Sequence, residues 1–219
     1  MSKPAIAAIT EPAVSSTLAA GTERDVRRAI STLRRIARDE FIPIKPTLHQ
    51  LAFLLAEERE TLFTGAGGNG KSTALLVAAL LDVDRPGYCA LLVQRTLAGP
   101  VSLAERIREW LEPTSAQWDS TARVWRFPSG ASLDFGRERL AYVAGEYHFV
   151  GLDDATLFSD VEYRRLFQIW RRRQGSTTPM RVRVATSPGG PGHDWSASAS
   201  PSTTRSRCCR SAGGSSRRR

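Results

Sequence analysis

The chain has 219 residues, 41% hydrophobic and 24% charged, which is the composition of a globular domain long enough to bury one core. No apolar run approaches the roughly 18 residues of a membrane span. The amino terminus also lacks the basic start and apolar block of a signal peptide, so we expect a cytoplasmic protein without a membrane partner.

The formal net charge of +9 and the pI near 10.3 favour polyanionic partners such as nucleic acid. Part of this excess comes from residues 196–219, which contain six arginines and no acid, and without them the charge falls to about +3. The three cysteines, Cys89, Cys208 and Cys209, fit neither a disulfide framework nor a zinc spacing. A bound metal is therefore expected to have oxygen ligands.

The amino-terminal third begins with residues 1–22, whose Ala, Ser, Thr and Pro content predicts a mobile leader. Apolar residues at helical spacing with arginines between them predict a basic amphipathic helix over 25–41, which most simply has one solvated face. A short helix over 48–58 and a strand over 60–64 follow.

A glycine-rich turn comes next, then an apolar helix over 72–81 and a strand over 88–93. The order of strand, glycine-rich loop, helix and strand predicts a parallel α/β sheet. Residues 123–127 and 131–135 flank a turn as a hairpin, 148–152 form a buried strand ending in two aspartates, 161–170 a helix and 181–185 a strand.

The predicted domain covers residues 23–195 and has an α/β fold with a mainly parallel central sheet flanked by helices. Residues 196–219 contain Ser, Arg, Gly, Ala and Thr with no large apolar side chain, and cannot build a core. We expect a disordered basic tail there, or the end product of a reading-frame shift.

The motif GAGGNGKS at 65–72 matches the phosphate-loop pattern G-x-x-x-x-G-K-[ST]. Its backbone N–H groups and the following helix would bind the phosphates of ATP, Lys71 would neutralise charge, and the Ser72 hydroxyl would reach Mg²⁺. The predicted nucleotide-binding residues in this segment are Gly65, Ala66, Gly67, Gly68, Asn69, Gly70, Lys71, Ser72 and Thr73.

A phosphate loop between a strand and a helix predicts the α/β fold of P-loop NTPases of the RecA- and helicase-like type. Such an enzyme needs an acidic site on a neighbouring strand, and HFVGLDDAT at 148–156 supplies one. Asp153 is predicted to serve the metal and Asp154 to orient the attacking water, because ligands of such sheets bind at the carboxyl ends of the strands. The alternative is a pair of acids that only caps the next helix.

These motifs occur in one order that resembles the ATPase domain of phage terminase large subunits over about residues 46–195. The matching pieces are LHQLAFLLAEERETLFTGAGGNGKSTALLVAALL, PGYCALLVQRT, WRFPSGASLDFG, GEYHFVGLDDAT and RVRVATSPGGPGHDW. The resemblance implies a bacteriophage or prophage motor that hydrolyses ATP with Mg²⁺ to drive double-stranded DNA into procapsids. Its partners would be the portal protein, a small terminase subunit and further copies in a homo-oligomeric ring.

The resemblance also assigns residues outside the two motifs. Gln50 resembles the glutamine that contacts adenine, although a glutamine on a helix is commonly just solvated. Ala185, Thr186 and Ser187 resemble the coupling motif that links hydrolysis to DNA movement. Arg95, predicted to be catalytic, could contact DNA phosphate, complete its own site or act as an arginine finger in a ring, and the plain alternative is a salt bridge at a strand end.

Three departures from the family pattern are visible. Asp154 stands where the family has glutamate, the segment between Phe135 and Tyr142 is shorter, and Ser187 stands where asparagine usually precedes the proline. The family continues into a nuclease domain after the segment that ends at Trp195, so the chain is expected to be truncated before it. The open alternatives are an impaired ATP-binding remnant and another DNA-dependent P-loop translocase.

Overall fold

The structure is a computed structural model, and it describes residues 7–9, 22–65, 68–94, 102–136, 145–172 and 180–187. Predictions for most of the leader, for Ala66, Gly67 and Arg95, and for the tail at 196–219 lie outside this part of the chain. None of the helices in the described ranges combines the length and hydropathy of a membrane span.

An eight-stranded sheet organises the domain, in the spatial order β1-β2-β10-β8-β3-β6-β5-β4. Its strands are β1 (Ala7–Ile9), β2 (Glu60–Thr64), β3 (Cys89–Gln94), β4 (Gln117–Asp119), β5 (Val124–Arg126), β6 (Ser132–Gly136), β8 (Phe149–Asp153) and β10 (Arg181–Thr186). The first six strands of this spatial order, which end with β6, run parallel to one another. Strands β5 and β4 extend the sheet beyond β6 as antiparallel strands. Two further strands, β7 (Gly145–Tyr147) and β9 (Trp170–Arg172), pair separately.

In the described ranges, the strands are accompanied by five α-helices: α1 (Glu23–Ile36), α2 (Leu48–Leu55), α3 (Lys71–Leu80), α4 (Leu103–Leu111) and α5 (Asp160–Ile169). Capping boxes on Thr22, Thr47 and Ser102 begin α1, α2 and α4 by satisfying backbone N–H groups of the first turn. Helix α3 instead follows Gly70, which has a φ of 70° and no side chain, so no side chain at this position caps the backbone N–H groups of the first turn.

Apolar side chains cover both faces of the sheet. On one face, Leu75 and Leu80 of α3 pack with Phe53, Leu92 and Ile107 in a single buried cluster. On the other face, Phe158 of the turn before α5 and Tyr163 and Leu166 of α5 pack in a second buried cluster with residues of the strands. The strand residues are Leu62, Leu91, Val150, Leu152 and Val184. The result is a three-layer α/β/α arrangement, because each central strand buries both of its faces.

Gly151 sets how closely α3 approaches the sheet. A Cβ at this position would lie 2.6 Å from Leu92 Cδ2 and 3.1 Å from Leu75 Cδ1. Even the smallest side chain would therefore collide with the core. The glycine brings the helix that follows the phosphate loop close to the strand that carries the aspartates.

The structure confirms the α/β class, the mainly parallel sheet and the predicted hairpin, which β5 and β6 form. The first predicted helix ends at Ile36 rather than at residue 41, because a turn follows in which Asp39 accepts a hydrogen bond from the Phe41 backbone. The helix predicted to reach Trp170 ends at Ile169, and Trp170 begins β9 instead.

Several described elements were not predicted, namely β1, β4, β7, β9, α4 and the 3-10 helix Ala155–Leu157. Residues 7–9 of the expected leader form β1, which pairs with β2 through its backbone. A three-residue strand is too short to show a sequence period, so the sequence does not predict it. Helix α4 was missed although Ser102 and Glu105 form a capping box in front of Ile107, Trp110 and Leu111. That box was the available signal.

Candidate functional site

The candidate site lies at the carboxyl ends of four neighbouring strands. The glycine-rich segment follows β2, Thr186 ends β10, Asp153 ends β8 and Gln94 ends β3. Strand β10 lies between the phosphate-loop strand and the acidic strand, with Thr186 beside Thr64 and Val184 beside both Leu62 and Leu152. Parallel pairing therefore gathers segments that are distant in sequence at one edge, where α/β sheets bind ligands.

The described part of the phosphate loop consists of Gly65 and residues 68–72. Gly68 and Gly70 have φ values of 83° and 70°, which other residues adopt only with strain. The Lys71 ammonium donates a hydrogen bond of 2.9 Å to the Gly65 carbonyl, so its side chain turns back towards the start of the loop. Asn69 is exposed at the rim of this turn.

The electrostatic balance of Lys71 reflects its position under the loop. Burial lowers the pKa of Lys71, and the carboxylates of Asp154 and Asp153 oppose this shift by attraction. An anion arriving at the loop would favour the charged ammonium in the same way.

Ser72 and Asp153 make the contact that joins the loop to the acidic strand. The Ser72 hydroxyl donates a 2.8 Å hydrogen bond to Asp153 Oδ1, although the two residues are 81 positions apart. Asp153 is buried, and burial raises its pKa to about 6, partly opposed by the hydrogen bond from Ser72. The carboxyl is thus ionised for the most part at neutral pH.

Asp154 follows Asp153 but has a different environment. It is exposed, its φ is 49°, and it precedes the short 3-10 helix Ala155–Leu157 without a side-chain capping bond to it. Aspartate tolerates this left-handed backbone better than most residues. One of the two neighbouring carboxylates is therefore buried against Ser72 and the other faces the solvent side of the site.

Gln50 lies below the loop, with both ends of its amide engaged. Its Nε2 donates a 2.8 Å hydrogen bond to the Gly70 carbonyl, and its Oε1 accepts one of 2.8 Å from the Thr47 backbone N–H. A Cβ on Gly70 would lie 2.5 Å from Gln50 Nε2. The glutamine therefore holds Gly70, the residue that precedes the first turn of α3.

The predicted coupling residues Ala185, Thr186 and Ser187 occupy the end of β10 and the position after it. Ala185 and Thr186 are buried, and the Thr186 hydroxyl has a long 3.4 Å contact to the Ser187 carbonyl. They lie between the phosphate-loop strand and the strand of Asp153. This is the position expected of a segment that responds to changes at both the phosphate loop and the acidic strand.

Two residues at the site were not predicted. Gln94 Nε2 lies 3.5 Å from Asp153 Oδ2, and its Oε1 accepts a 3.2 Å hydrogen bond from the Leu103 backbone N–H. Arg106 of α4 donates a 3.0 Å hydrogen bond to the Thr73 hydroxyl. The sequence does not predict either contact, because each joins residues that are far apart in the chain and that only the fold brings together.

The donor set fits the expected ligands. Ser72 and Asp153 place a hydroxyl and a carboxylate side by side, which are oxygen ligands of the kind Mg²⁺ takes. No group of three or more acidic, histidine or cysteine side chains suited to a metal occurs among the described residues. Mg²⁺ at nucleotide sites commonly has one or two protein ligands plus water and phosphate oxygens, so two suffice.

Together the sheet order, the phosphate loop and the acidic strand, which β10 separates from the phosphate-loop strand, define the α/β fold of P-loop NTPases. Neither the protein-family models nor the curated proteins contain a match to this sequence.

Solved structures do match. The crystal structure of the HK97 bacteriophage large terminase aligns with 73% of this chain at a TM-score of 0.52 and 12% identity, so the fold is terminase-like. The chain spans 37% of that terminase's length. The Phi-28 gp11 DNA packaging motor aligns with 63% of this chain and 49% of its own, at 13% identity and a TM-score of 0.35.

Proposed function

We propose that this chain is the ATP-hydrolysing motor domain of a phage or prophage terminase large subunit. The observation that carries the proposal is the hydrogen bond from Ser72 to Asp153, with β10 between their two strands. In this arrangement the loop that would bind phosphate, the acid that would hold Mg²⁺ and the predicted coupling segment meet at one sheet edge.

Each residue would have a defined task in this reaction. The backbone N–H groups at residues 68–72 and the start of α3 bind the phosphate chain, and Lys71 leaves the Gly65 carbonyl to pair with it. Ser72 and Asp153 would hold Mg²⁺, which would supply charge neutralisation to the phosphates. Asp154, exposed beside Asp153, orients the water that attacks the terminal phosphate. Thr186 and Ser187 transmit the change to the DNA, and Gln50 contacts the adenine.

The packaging role is proposed from the fold and the sequence motifs together. The terminase-like fold supports it, and the basic net charge suits double-stranded DNA as the transported polymer. The portal protein, a small terminase subunit and neighbouring copies in a ring would complete the machine in the cytoplasm of a bacterial host. Arg95 remains our candidate for a contact to DNA or to a neighbouring site.

The first test is ATP turnover by the full chain with and without double-stranded DNA, alongside nucleotide binding on the same sample. We expect Mg²⁺-dependent hydrolysis that double-stranded DNA alters. A chain that unwinds free duplex would instead be another P-loop translocase. Absence of both ATP binding and turnover would contradict the proposal.

Asp154 favours a second candidate, an ATP-binding remnant with impaired hydrolysis. Its carboxylate is one methylene shorter than the glutamate of the family, and a misplacement of about 1 Å can cost about a hundredfold in rate. This candidate predicts tight ATP binding with very slow turnover.

Asp154→Glu tests the water-orienting role directly. We expect about 10- to 100-fold faster hydrolysis with nearly unchanged ATP affinity, because the longer side chain restores the reach of the carboxylate. Single-turnover hydrolysis and equilibrium binding measure the two effects. Asp160→Glu, at the exposed start of α5, is the matched control and should change neither. No gain in Asp154→Glu would refute the role.

A further inference from the structure

Arg106 stands apart from the other partly buried arginines of the described chain. It is half-buried on α4, and its Nη1 donates to the Thr73 hydroxyl at 3.0 Å. No carboxylate of the described residues lies within salt-bridge distance of it, whereas the similarly half-buried Arg35 pairs with both Asp82 and Asp84. A guanidinium that is partly removed from water and has no carboxylate partner among the described residues suits an anionic ligand.

The position of Arg106 is fixed by the rest of α4. Leu103, Ile107 and Leu111 are buried in the core, and the Ser102 and Glu105 capping box holds the first turn. The Leu103 backbone N–H also donates to Gln94, which extends from the end of β3. A side chain presented by such an anchored helix loses little freedom when it binds a ligand.

The hydrogen bond to Thr73 also places Arg106 beside the proposed nucleotide site. Thr73 directly follows the proposed magnesium ligand Ser72 in the first turn of α3. The guanidinium therefore lies beside the helix end that would bind the phosphate chain.

We propose that Arg106 is a phosphate-binding residue of the nucleotide site, contributed by the same chain. It binds the α- and β-phosphates of a nucleoside di- or triphosphate at the Thr73 side of the loop, opposite Lys71. A planar guanidinium can donate two hydrogen bonds to phosphate oxygens, which a neutral side chain cannot replace. This inference rests on the proposed function of the same site.

The test is the affinity of the full chain for fluorescently labelled ATP, with ADP measured by competition. Arg106→Gln should weaken binding of ATP and ADP by about 10- to 100-fold each, the loss expected for a hydrogen-bonded charge. Arg108→Gln removes an exposed charge from the same helix and should change neither affinity. Urea unfolding of both nucleotide-free variants should match the wild type.

Thr73→Val separates direct binding from positioning, because it removes the hydroxyl but leaves the guanidinium in place. Direct binding predicts a smaller loss in Thr73→Val than in Arg106→Gln. Because Thr73 is itself a predicted nucleotide-binding residue, the double variant decides: if Arg106→Gln caused no further loss in the Thr73→Val background, Arg106 would act only through Thr73 and the proposal would be overturned. A loss for ATP without one for ADP would also overturn it.

Lys71→Ala distinguishes a failure of the proposed nucleotide site from a failure of the proposed role of Arg106. Unchanged ATP binding in Lys71→Ala would remove the proposed nucleotide site itself. Loss of binding in Lys71→Ala, together with Arg106→Gln binding as tightly as Arg108→Gln, would remove only the role of Arg106.

Discussion

Lys71→Ala should abolish ATP turnover and weaken ATP binding by about a hundredfold or more, the scale of losing a charged donor at a transition state. The ammonium lies under the phosphate loop, 2.9 Å from the Gly65 carbonyl, and is attracted by Asp153 and Asp154. Alanine leaves the loop backbone but removes its positive charge. Equilibrium binding and steady-state hydrolysis by the full chain measure both losses.

Lys45→Ala is the matched control, because Lys45 is exposed in the segment before α2. It should bind and hydrolyse ATP like the wild type. Since Lys71 also ties the loop to Gly65, the unfolding of the variant has to be measured without nucleotide. A Lys71→Ala protein that is stable and still hydrolyses ATP at the original rate would show that 65–72 is not a functional phosphate loop.

Arg183→Ala should lower the free energy of unfolding by about 3 kcal/mol, a large share of a typical domain's stability. Arg183 is 2% exposed on β10, where its guanidinium donates to the Ala56 carbonyl at 2.7 Å and the Glu58 carbonyl at 3.0 Å. It also lies 5.9 Å from the centre of the Phe53 ring. Burial lowers the pKa of Arg183 to about 10, so its charge persists at neutral pH and its hydrogen bonds offset the desolvation.

Truncating Arg183 would leave these carbonyls without their donor and open a gap beside Phe53. Urea denaturation gives the change in free energy. Arg181→Ala, two residues earlier on the same strand, removes an exposed arginine and should cost less than about 0.5 kcal/mol. Equal stability of the two variants would disprove the anchoring role of Arg183.

The sequence predicted those parts of the fold whose signals are local. The phosphate-loop pattern, the apolar helix after it and the buried strand before Asp153 each depend on neighbouring residues, and α3 and β8 lie where they were expected. The parallel sheet followed from the order of these elements. The meeting of Ser72 with Asp153 was also expected, because the carboxyl ends of parallel strands gather at one edge of a sheet, and here β10 lies between the two strands concerned.

The other features of the fold and of the candidate site depend on tertiary contacts, which no local sequence pattern encodes. The burial of Arg183 could not be predicted, since its partners are backbone carbonyls more than a hundred residues away. The same holds for Arg106 and Thr73, which α4 brings together. Gln50 was predicted as a contact to adenine, whereas its hydrogen bond to Gly70 depends on how α2 packs beneath the loop.

The two outer strands of the large sheet have a consequence for how copies of this chain could associate. β1 and β4 contain only three residues each, and charged side chains flank the β4 edge, where Asp119 pairs with Arg126. Short, charged edges are poor templates for another chain's backbone. A ring built from such subunits would therefore be held by side chains on helices and loops, so that neighbours could slide or tilt without breaking a continuous ladder of backbone hydrogen bonds.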